Sequence, residues 1–151
     1  MTKKEITRIQ NFVKKTLRDS GKRGMSLREL SLDNCSEISR LVGCFVLSSK
    51  QNVSVLILKG DNVLGTKQSH DILAIQSEKE IYVLDSTIWQ FFPRKRNILI
   101  AIAPNIREAI AETEKFYGGK WKISEKMTHK MCRIGKKEWL SVIRQNNERG
   151  L

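Results

Sequence analysis

The spacing of apolar residues changes twice along this 151-residue chain, and this change constrains the fold more than any other feature of the sequence. Before residue 50 and after residue 104, apolar side chains recur every three or four positions, as in amphipathic helices. Between them lie short apolar runs bounded by polar turn residues, which are typical of strands in a covered sheet. Helices, then strands, then helices predict one α+β domain over residues 1–151.

The same spacing predicts the individual elements. Predicted helices cover residues 3–18, the stretch from Cys35 to about residue 46, residues 105–117 and residues 136–144. Predicted strands cover residues 53–58, 72–75, 81–84 and 97–103, with residues 120–123 as a short edge strand. Ser26, followed by Glu29 three positions later, has the pattern of a capping box before a short helical turn. We therefore expect N-terminal helices packed on a small antiparallel sheet, followed by C-terminal helices.

The net charge of +12 is concentrated at the two ends of the chain. Residues 1–30 hold nine Lys or Arg against three acids, and residues 115–151 hold ten against three. Solubility alone requires a net charge of roughly 2–8. The positive charge beyond that range favours an acidic protein or a polyanion such as RNA as partner. The segment Arg94-Lys95-Arg96 is a candidate docking site for such a partner. The alternative is that lysine-rich helix faces only keep the protein dissolved.

The three cysteines lie at positions 35, 44 and 132, and an odd number cannot pair completely within one chain. The short Cys-x-x-Cys spacing of zinc or redox sites is absent, so we expect reduced thiols, no metal and no cofactor. No apolar stretch reaches the ~20 residues of a membrane span, and the N-terminus lacks the apolar block of a signal peptide. We expect no membrane partner and a cytoplasmic site of action. The chain either acts where it is made or is delivered as part of a larger secreted protein.

Cys35 is placed at the start of the helix with the cleanest apolar stripe. Helix N-termini present unpaired N–H groups and a partial positive charge, which lower the pKa of a thiol and can hold an oxyanion. The alternative is that Cys35 is simply a small buried residue.

His70 opens one predicted strand, and Asp85 follows the next. A four-residue loop over residues 76–79 would pair position 74 with 81 and 72 with 83, and would set His70 directly opposite Asp85. A carboxylate at that distance can hold an imidazole in one tautomer and stabilise its charged form. The alternative is a cross-strand ion pair without a catalytic role. His129, the other histidine, has no obvious orienting acid and is interpreted as a surface residue.

The order Cys, His, Asp, with the cysteine at a helix start, resembles the papain-like and transglutaminase-like cysteine enzymes. The stretches HDILAI, from His70, and IYVLDSTIWQF, from Ile81, are similar to the strand pair that carries the histidine and the acid in that superfamily. The resemblance covers roughly residues 33–93, with Ser86 in place of a frequent proline. Within this superfamily, the chain resembles the compact, basic bacterial toxin and effector domains.

The resemblance implies a role for each candidate residue. Cys35 attacks an amide or carboxamide carbonyl to give a thioester, His70 moves the proton, and Asp85 orients His70. The backbone N–H of Cys35, with the Asn34 side chain, would hold the oxyanion. Two further residues, Trp89 and Gln90, would line the cleft, although the aromatic residues here are equally suited to the core. The expected activity is that of a peptidase, a glutamine deamidase or a transglutaminase-type enzyme. A protein substrate and an immunity or inhibitor protein are the implied partners.

Two other functions stay open from the sequence. The first is a ribonuclease or RNA-directed toxin, in which the basic ends bind phosphates and His70 acts on a 2′-hydroxyl. The second is a binding module for RNA or an acidic protein, with His70 and Asp85 as a structural pair. The same scaffold serves all three, because function depends on the site rather than on the fold.

Overall fold

The computed structural model describes residues 1–149. It has five α-helices and five β-strands in that range. The helices are α1 (Lys3–Ser20), α2 (Leu27–Ser31), α3 (Cys35–Ser49), α4 (Ile106–Tyr117) and α5 (His129–Arg149). The strands are β1 (Ser54–Asp61), β2 (His70–Gln76), β3 (Ile81–Leu84), β4 (Leu99–Ala103) and β5 (Lys120–Lys126). The expected α+β fold, with N-terminal helices, an antiparallel sheet and a C-terminal helix, is confirmed.

The strands form one sheet in the order β4-β3-β2-β1-β5, and every neighbouring pair is antiparallel. Because side chains alternate between the faces of a strand, the sheet has two apolar faces. Odd-numbered residues of β1 and β2, such as Val55 and Leu73, pack with α1, α2, α3 and α5. Even-numbered residues, such as Leu58 and Ile72, pack with α4. The sheet is therefore a middle layer covered on both faces.

The predicted hairpin register between β2 and β3 is wrong by two residues. The structure pairs Ala74 with Val83 and Gln76 with Ile81, so the loop covers residues 77–80 instead of 76–79. The Ser77 N–H donates to the Glu80 carbonyl at 2.9 Å and closes that loop. A two-residue shift leaves every side chain on its original face. His70 and Asp85 consequently stay on one face but are not directly opposite each other.

The helix boundaries follow local capping. Thr2 and Ser26 each form a capping box with the glutamate three positions later, and Asn105 accepts a hydrogen bond from the Glu108 N–H. The terminal helix, predicted over residues 136–144, extends from His129 to Arg149. In the described part of the chain, no helix is long and apolar enough to cross a membrane.

The expectation of reduced thiols is wrong for two of the three cysteines. Cys44 on α3 and Cys132 on α5 form a disulfide across 88 residues of sequence, and Cys35 is free. An odd cysteine count excludes complete pairing but does not exclude one bridge. The packing of α5 on α3 could not be seen in the sequence, and this packing brings the two sulfurs together.

Candidate active site

His70 and Asp85 meet on the face of the sheet that α4 covers. The His70 Nε2 atom lies 2.7 Å from Asp85 Oδ2, and both side chains are fully buried. His70 opens β2 opposite Gly60 of β1, while Asp85 directly follows β3 and donates its N–H to the Ile98 carbonyl at 2.8 Å. Strand β2 therefore fixes the position of His70, and the segment after β3 fixes that of Asp85. The sequence predicted this contact from a different register.

The Asp85 carboxylate has further hydrogen bonds. Its Oδ1 accepts from the Thr87 N–H at 3.0 Å, and its Oδ2 accepts a short hydrogen bond from the Tyr117 hydroxyl at the end of α4. These donors, together with His70, fix the orientation of the Asp85 carboxylate. Burial and the Asp85 charge both raise the pKa of Tyr117, so its hydroxyl keeps its proton and acts as a donor.

The environment of His70 favours its charged form. Burial opposes that form, but the charge and hydrogen bond of Asp85, followed by the Cys35 thiol, outweigh burial and raise the pKa of His70 to about 10. The ring is enclosed by Phe91, Tyr117 and Trp121, with ring centroids 4.9, 5.6 and 6.2 Å away. These aromatic rings exclude water from the pair, so its electrostatic interaction is strong.

Cys35 is the first residue of α3 and is partly exposed. The cap residue Asn34 makes no side-chain hydrogen bond to the first turn of this helix, so the cap does not occupy its N–H groups. These groups and the helix dipole favour negative charge at Cys35. The thiol lies in a cleft whose lining residues include Arg28, Leu32, Gln68 and Ser69. Cys35 is therefore the accessible member of a group whose His and Asp are buried.

Gln90 lies in the same cleft and links the loop after β3 to the histidine. Its Nε2 atom lies 3.2 Å from His70 Nδ1 and 3.0 Å from Thr87 Oγ1. Asp85 occupies Nε2 of the ring, so Nδ1 is the nitrogen left to exchange a proton in the cleft. The structure thus places Gln90 in the cleft, as the sequence predicted. The Gln90 amide also contacts Nδ1, which is the ring nitrogen that would accept the thiol proton if His70 acted as a base.

Asn34 cannot contribute its side chain to an oxyanion site, which corrects the sequence prediction. It is fully buried, and its Nδ2 donates to the Leu30 carbonyl at 2.8 Å and to Asn147 Oδ1 at 2.9 Å. Its Oδ1 accepts from Asn146 Nδ2 at 3.0 Å. The side chain points away from the cleft because α5 packs against this end of α3. The backbone N–H groups of α3 remain as candidate oxyanion donors.

Trp89 does not line the cleft, which corrects a second prediction. It is 2% exposed, packs in the core beneath the helices, and donates its Nε1–H to the Lys95 carbonyl at 3.0 Å. Residues Ile88–Gln90 form a single 3-10 turn, so successive side chains point in different directions. This geometry sends Trp89 into the core and leaves Gln90 in the cleft.

The basic segment Arg94-Lys95-Arg96 is exposed on the connection to β4 and is not part of the cleft. Its backbone is fixed, because the Arg96 carbonyl accepts a hydrogen bond of 2.8 Å from Gln10. Lys95 Nζ lies 5.4 Å from the centre of the Phe116 ring. Any docking role of this segment is separate from the chemistry at Cys35.

Helix α3, which carries Cys35, is bonded directly to β2, which carries His70. The Ser39 hydroxyl donates to the Asp71 carbonyl at 3.1 Å, and Arg40 Nη1 lies 3.2 Å from Asp71 Oδ2. Arg40 also forms an ion pair of 2.5 Å with Glu125 of β5. Asp71 is the neighbour of His70, so these contacts set the position of α3 relative to the imidazole.

Sequence reasoning missed Tyr117 and Arg40. Both lie on helices where their spacing is that of ordinary amphipathic positions, and their partners are distant in sequence. No family model, curated protein or solved structure matches this chain. The chemistry of the site must therefore be inferred from its own geometry.

Proposed function

We propose that this protein is a cysteine-dependent acyl-transfer enzyme acting through Cys35, His70 and Asp85. The observation that carries the proposal is the combination of an accessible thiol at a helix N-terminus with a buried His70–Asp85 pair of 2.7 Å. The raised pKa of His70, to about 10, keeps the ring charged at neutral pH, and a charged imidazole stabilises negative charge on a nearby sulfur. If His70 and Asp85 formed only a structural ion pair, the interaction of the free Cys35 thiol with the same ring would have no explanation.

The proposed reaction uses each group once in each direction. The Cys35 thiolate attacks a carbonyl carbon, and the N–H groups at the start of α3 stabilise the oxyanion. The imidazolium of His70 gives its proton to the leaving amine or ammonia, and a thioester of Cys35 remains. Water or a second amine then attacks the thioester, giving up a proton to His70 as the thiolate leaves. Asp85 stays ionised throughout and orients the ring.

Glutamine side chains and peptide bonds of proteins are the proposed substrates. The cleft is lined by residues of α2, of α3 and of the segments before β2 and after β3, and such a composite surface suits a polypeptide segment. We extend the proposal to a papain-like or transglutaminase-like domain of the toxin or effector type. An acidic or inhibitory protein is then the proposed partner of the basic ends.

The disulfide bears on the proposed cytoplasmic site of action. Disulfides form and persist in oxidising compartments and are rare in the cytosol. Delivery of the chain as part of a secreted protein, followed by action on a cytoplasmic substrate, agrees with both features.

RNA-directed chemistry at His70 is the weaker alternative. RNA chemistry at His70 would leave the free Cys35 thiol, which interacts with the same ring, without a role. The presence of this free, partly exposed thiol therefore favours thiol chemistry.

The test is a screen of glutamine-containing peptides and proteins, with mass spectrometry for deamidation, for cross-links to an added primary amine, and for cleavage. We expect one of these products with the wild type and its loss in Cys35→Ser and His70→Ala. The matched control is His129→Ala, since His129 is the exposed second histidine and should be dispensable. Activity that survives Cys35→Ser would contradict the proposal.

A further inference from the structure

The helix that carries Cys35 is attached to the C-terminal helix at its first turn. Asn34, just before Cys35, exchanges side-chain hydrogen bonds with Asn146 and Asn147 of α5, at 3.0 and 2.9 Å. A further bond of 3.1 Å joins Asn146 Nδ2 to the Asp33 carbonyl. We call Asn34, Asn146 and Asn147 the amide cluster. It holds the side chain of Asn34 and the backbone of Asp33, which lead directly into Cys35.

A second attachment lies further along the same two helices. The Cys44–Cys132 disulfide joins them nine residues after Cys35 on α3 and fifteen residues before Asn147 on α5. These separations correspond to about 14 Å and 22 Å of helix, so the two attachments are well apart. The pairing of an early α3 residue with a late α5 residue, and the reverse, shows that the helices run antiparallel. Helix α5 is therefore joined to α3 at two well-separated points.

The amide cluster contains a buried donor that packing alone does not require. Asn147 is 2% exposed, and its Nδ2 has no hydrogen-bond partner within residues 1–149. A buried polar atom without a partner lowers stability, and an apolar side chain would avoid that cost. The useful atom of Asn147 is Oδ1, which fixes Asn34 Nδ2. The unpartnered Nδ2 lowers stability, whereas Oδ1 fixes the orientation of the chain before Cys35.

We propose that Asn147 and Asn146, through Asn34, are positioning residues that hold Cys35 in register with His70. The inference rests on the proposed function, because it concerns the reactivity of the same thiol. His70 is fixed independently by the sheet and by Asp85, so a shift of Asn34 changes the distance between thiol and imidazole. A misplacement of about 1 Å can reduce a reaction rate by a factor of about 100.

The experiment measures the pH profile of Cys35 alkylation by iodoacetamide, without reductant, by mass spectrometry. The disulfide protects the other two cysteines, so Cys35 is the thiol that reacts. Asn147→Ala removes the acceptor for Asn34. Gln145→Ala is the matched control, because Gln145 is exposed on the same helix and its side chain hydrogen-bonds to Ser141, one turn earlier on that helix.

In Asn147→Ala we expect the alkylation rate at pH 6 to fall about tenfold or more, with a change below about twofold at pH 10, where every thiol is ionised. Gln145→Ala should retain the wild-type profile. Circular dichroism establishes that each variant is folded. If Asn147→Ala does not fold, the milder Asn146→Ala replaces it, with the same expected loss at low pH.

The outcomes separate this inference from the proposed function. A large effect of His70→Ala on the profile with no effect of Asn147→Ala or Asn146→Ala overturns the positioning role alone. No effect of His70→Ala overturns the proposed function as well. A rate that falls equally at pH 6 and pH 10 indicates lost access rather than lost activation and also overturns the positioning role.

Discussion

Replacing Asp85 with asparagine should remove the charge on His70 at neutral pH. The substitution keeps the size of the side chain and one acceptor oxygen, but it removes the negative charge 2.7 Å from His70 Nε2. Two unit charges at that distance attract each other by about 6 kcal/mol at an effective dielectric constant of about 20. Burial opposes this attraction, and the net result in the wild type is a pKa of His70 of about 10.

The size of the expected change follows from these opposing effects. The wild-type pKa of about 10 lies above the ordinary value of 6.5, and that difference corresponds to about 5 kcal/mol at 1.36 kcal/mol per unit. In Asp85→Asn, burial remains while the main favourable charge is gone. We therefore expect the pKa of His70 to fall to 6.5 or lower, so that the ring is neutral at pH 8 in the variant and charged in the wild type.

The assay is an NMR titration of the imidazole Cε1–Hε1 signals between pH 5 and pH 11. The chain has two histidines, and the exposed His129 provides an internal reference whose signals should be the same in both proteins. A wild-type His70 that titrates at or below 6.5 would refute the reasoning. So would an Asp85→Asn variant in which His70 still titrates near the wild-type pKa.

The same pair should make stability depend on pH. A histidine whose pKa is raised on folding stabilises the protein below its unfolded value, 6.5, and this stabilisation is lost as the pH rises through about 10. The unfolding free energy of the wild type should therefore decrease from pH 7 to pH 10, by at most about 1.4 kcal/mol per pH unit. Urea unfolding of Asp85→Asn should show a flatter dependence over the same interval. A wild-type curve as flat as that of the variant would exclude the effect.

Three further changes test other parts of the structure. Tyr117→Phe removes one donor from the buried Asp85 carboxylate, and we expect about 1–3 kcal/mol lower unfolding free energy by urea titration together with slower Cys35 alkylation at pH 6. Arg40→Met leaves Asp71 largely buried without its cation, and alkylation of Cys35 should slow while circular dichroism stays unchanged. Unchanged alkylation would show that the contact between α3 and β2 does not set the thiol position. Reduction of the disulfide should lower the unfolding free energy by up to about 4.6 kcal/mol, the value expected from loop-closure entropy for its 88-residue separation.

The features of the fold that could be predicted from the sequence are those that depend on short-range interactions. The capping box at Ser26 and Glu29 and the apolar stripe after Cys35 depend on neighbours three or four positions away, and both appear in the structure. The face that Ile72 shares with Val83 was also correct, because a register error of two residues preserves it. The loop itself was misplaced by one residue, since the overlapping segments 76–79 and 77–80 are equally polar.

The parts of the site that could not be predicted depend on packing between distant segments. The Asn34 side chain was expected in the cleft, but its direction is decided by α5, more than 110 residues later. The Cys44–Cys132 bridge depends on the same helix. Tyr117 was overlooked because an aromatic residue near a helix end carries no signal of a distant carboxylate partner. Local pattern predicted the candidate groups, and tertiary structure decides which residues contact them.

The most direct test of the central claim is the rate of Cys35 alkylation by iodoacetamide at pH 6 in the wild type, in His70→Ala and in the control His129→Ala. A thiolate held by an imidazolium reacts well below the free-thiol pKa of ~8.5. We expect fast labelling in the wild type and in His129→Ala, and markedly slower labelling in His70→Ala, because the imidazolium that stabilises the thiolate is gone. Equal rates in all three proteins would show that His70 does not activate Cys35 and would contradict the account.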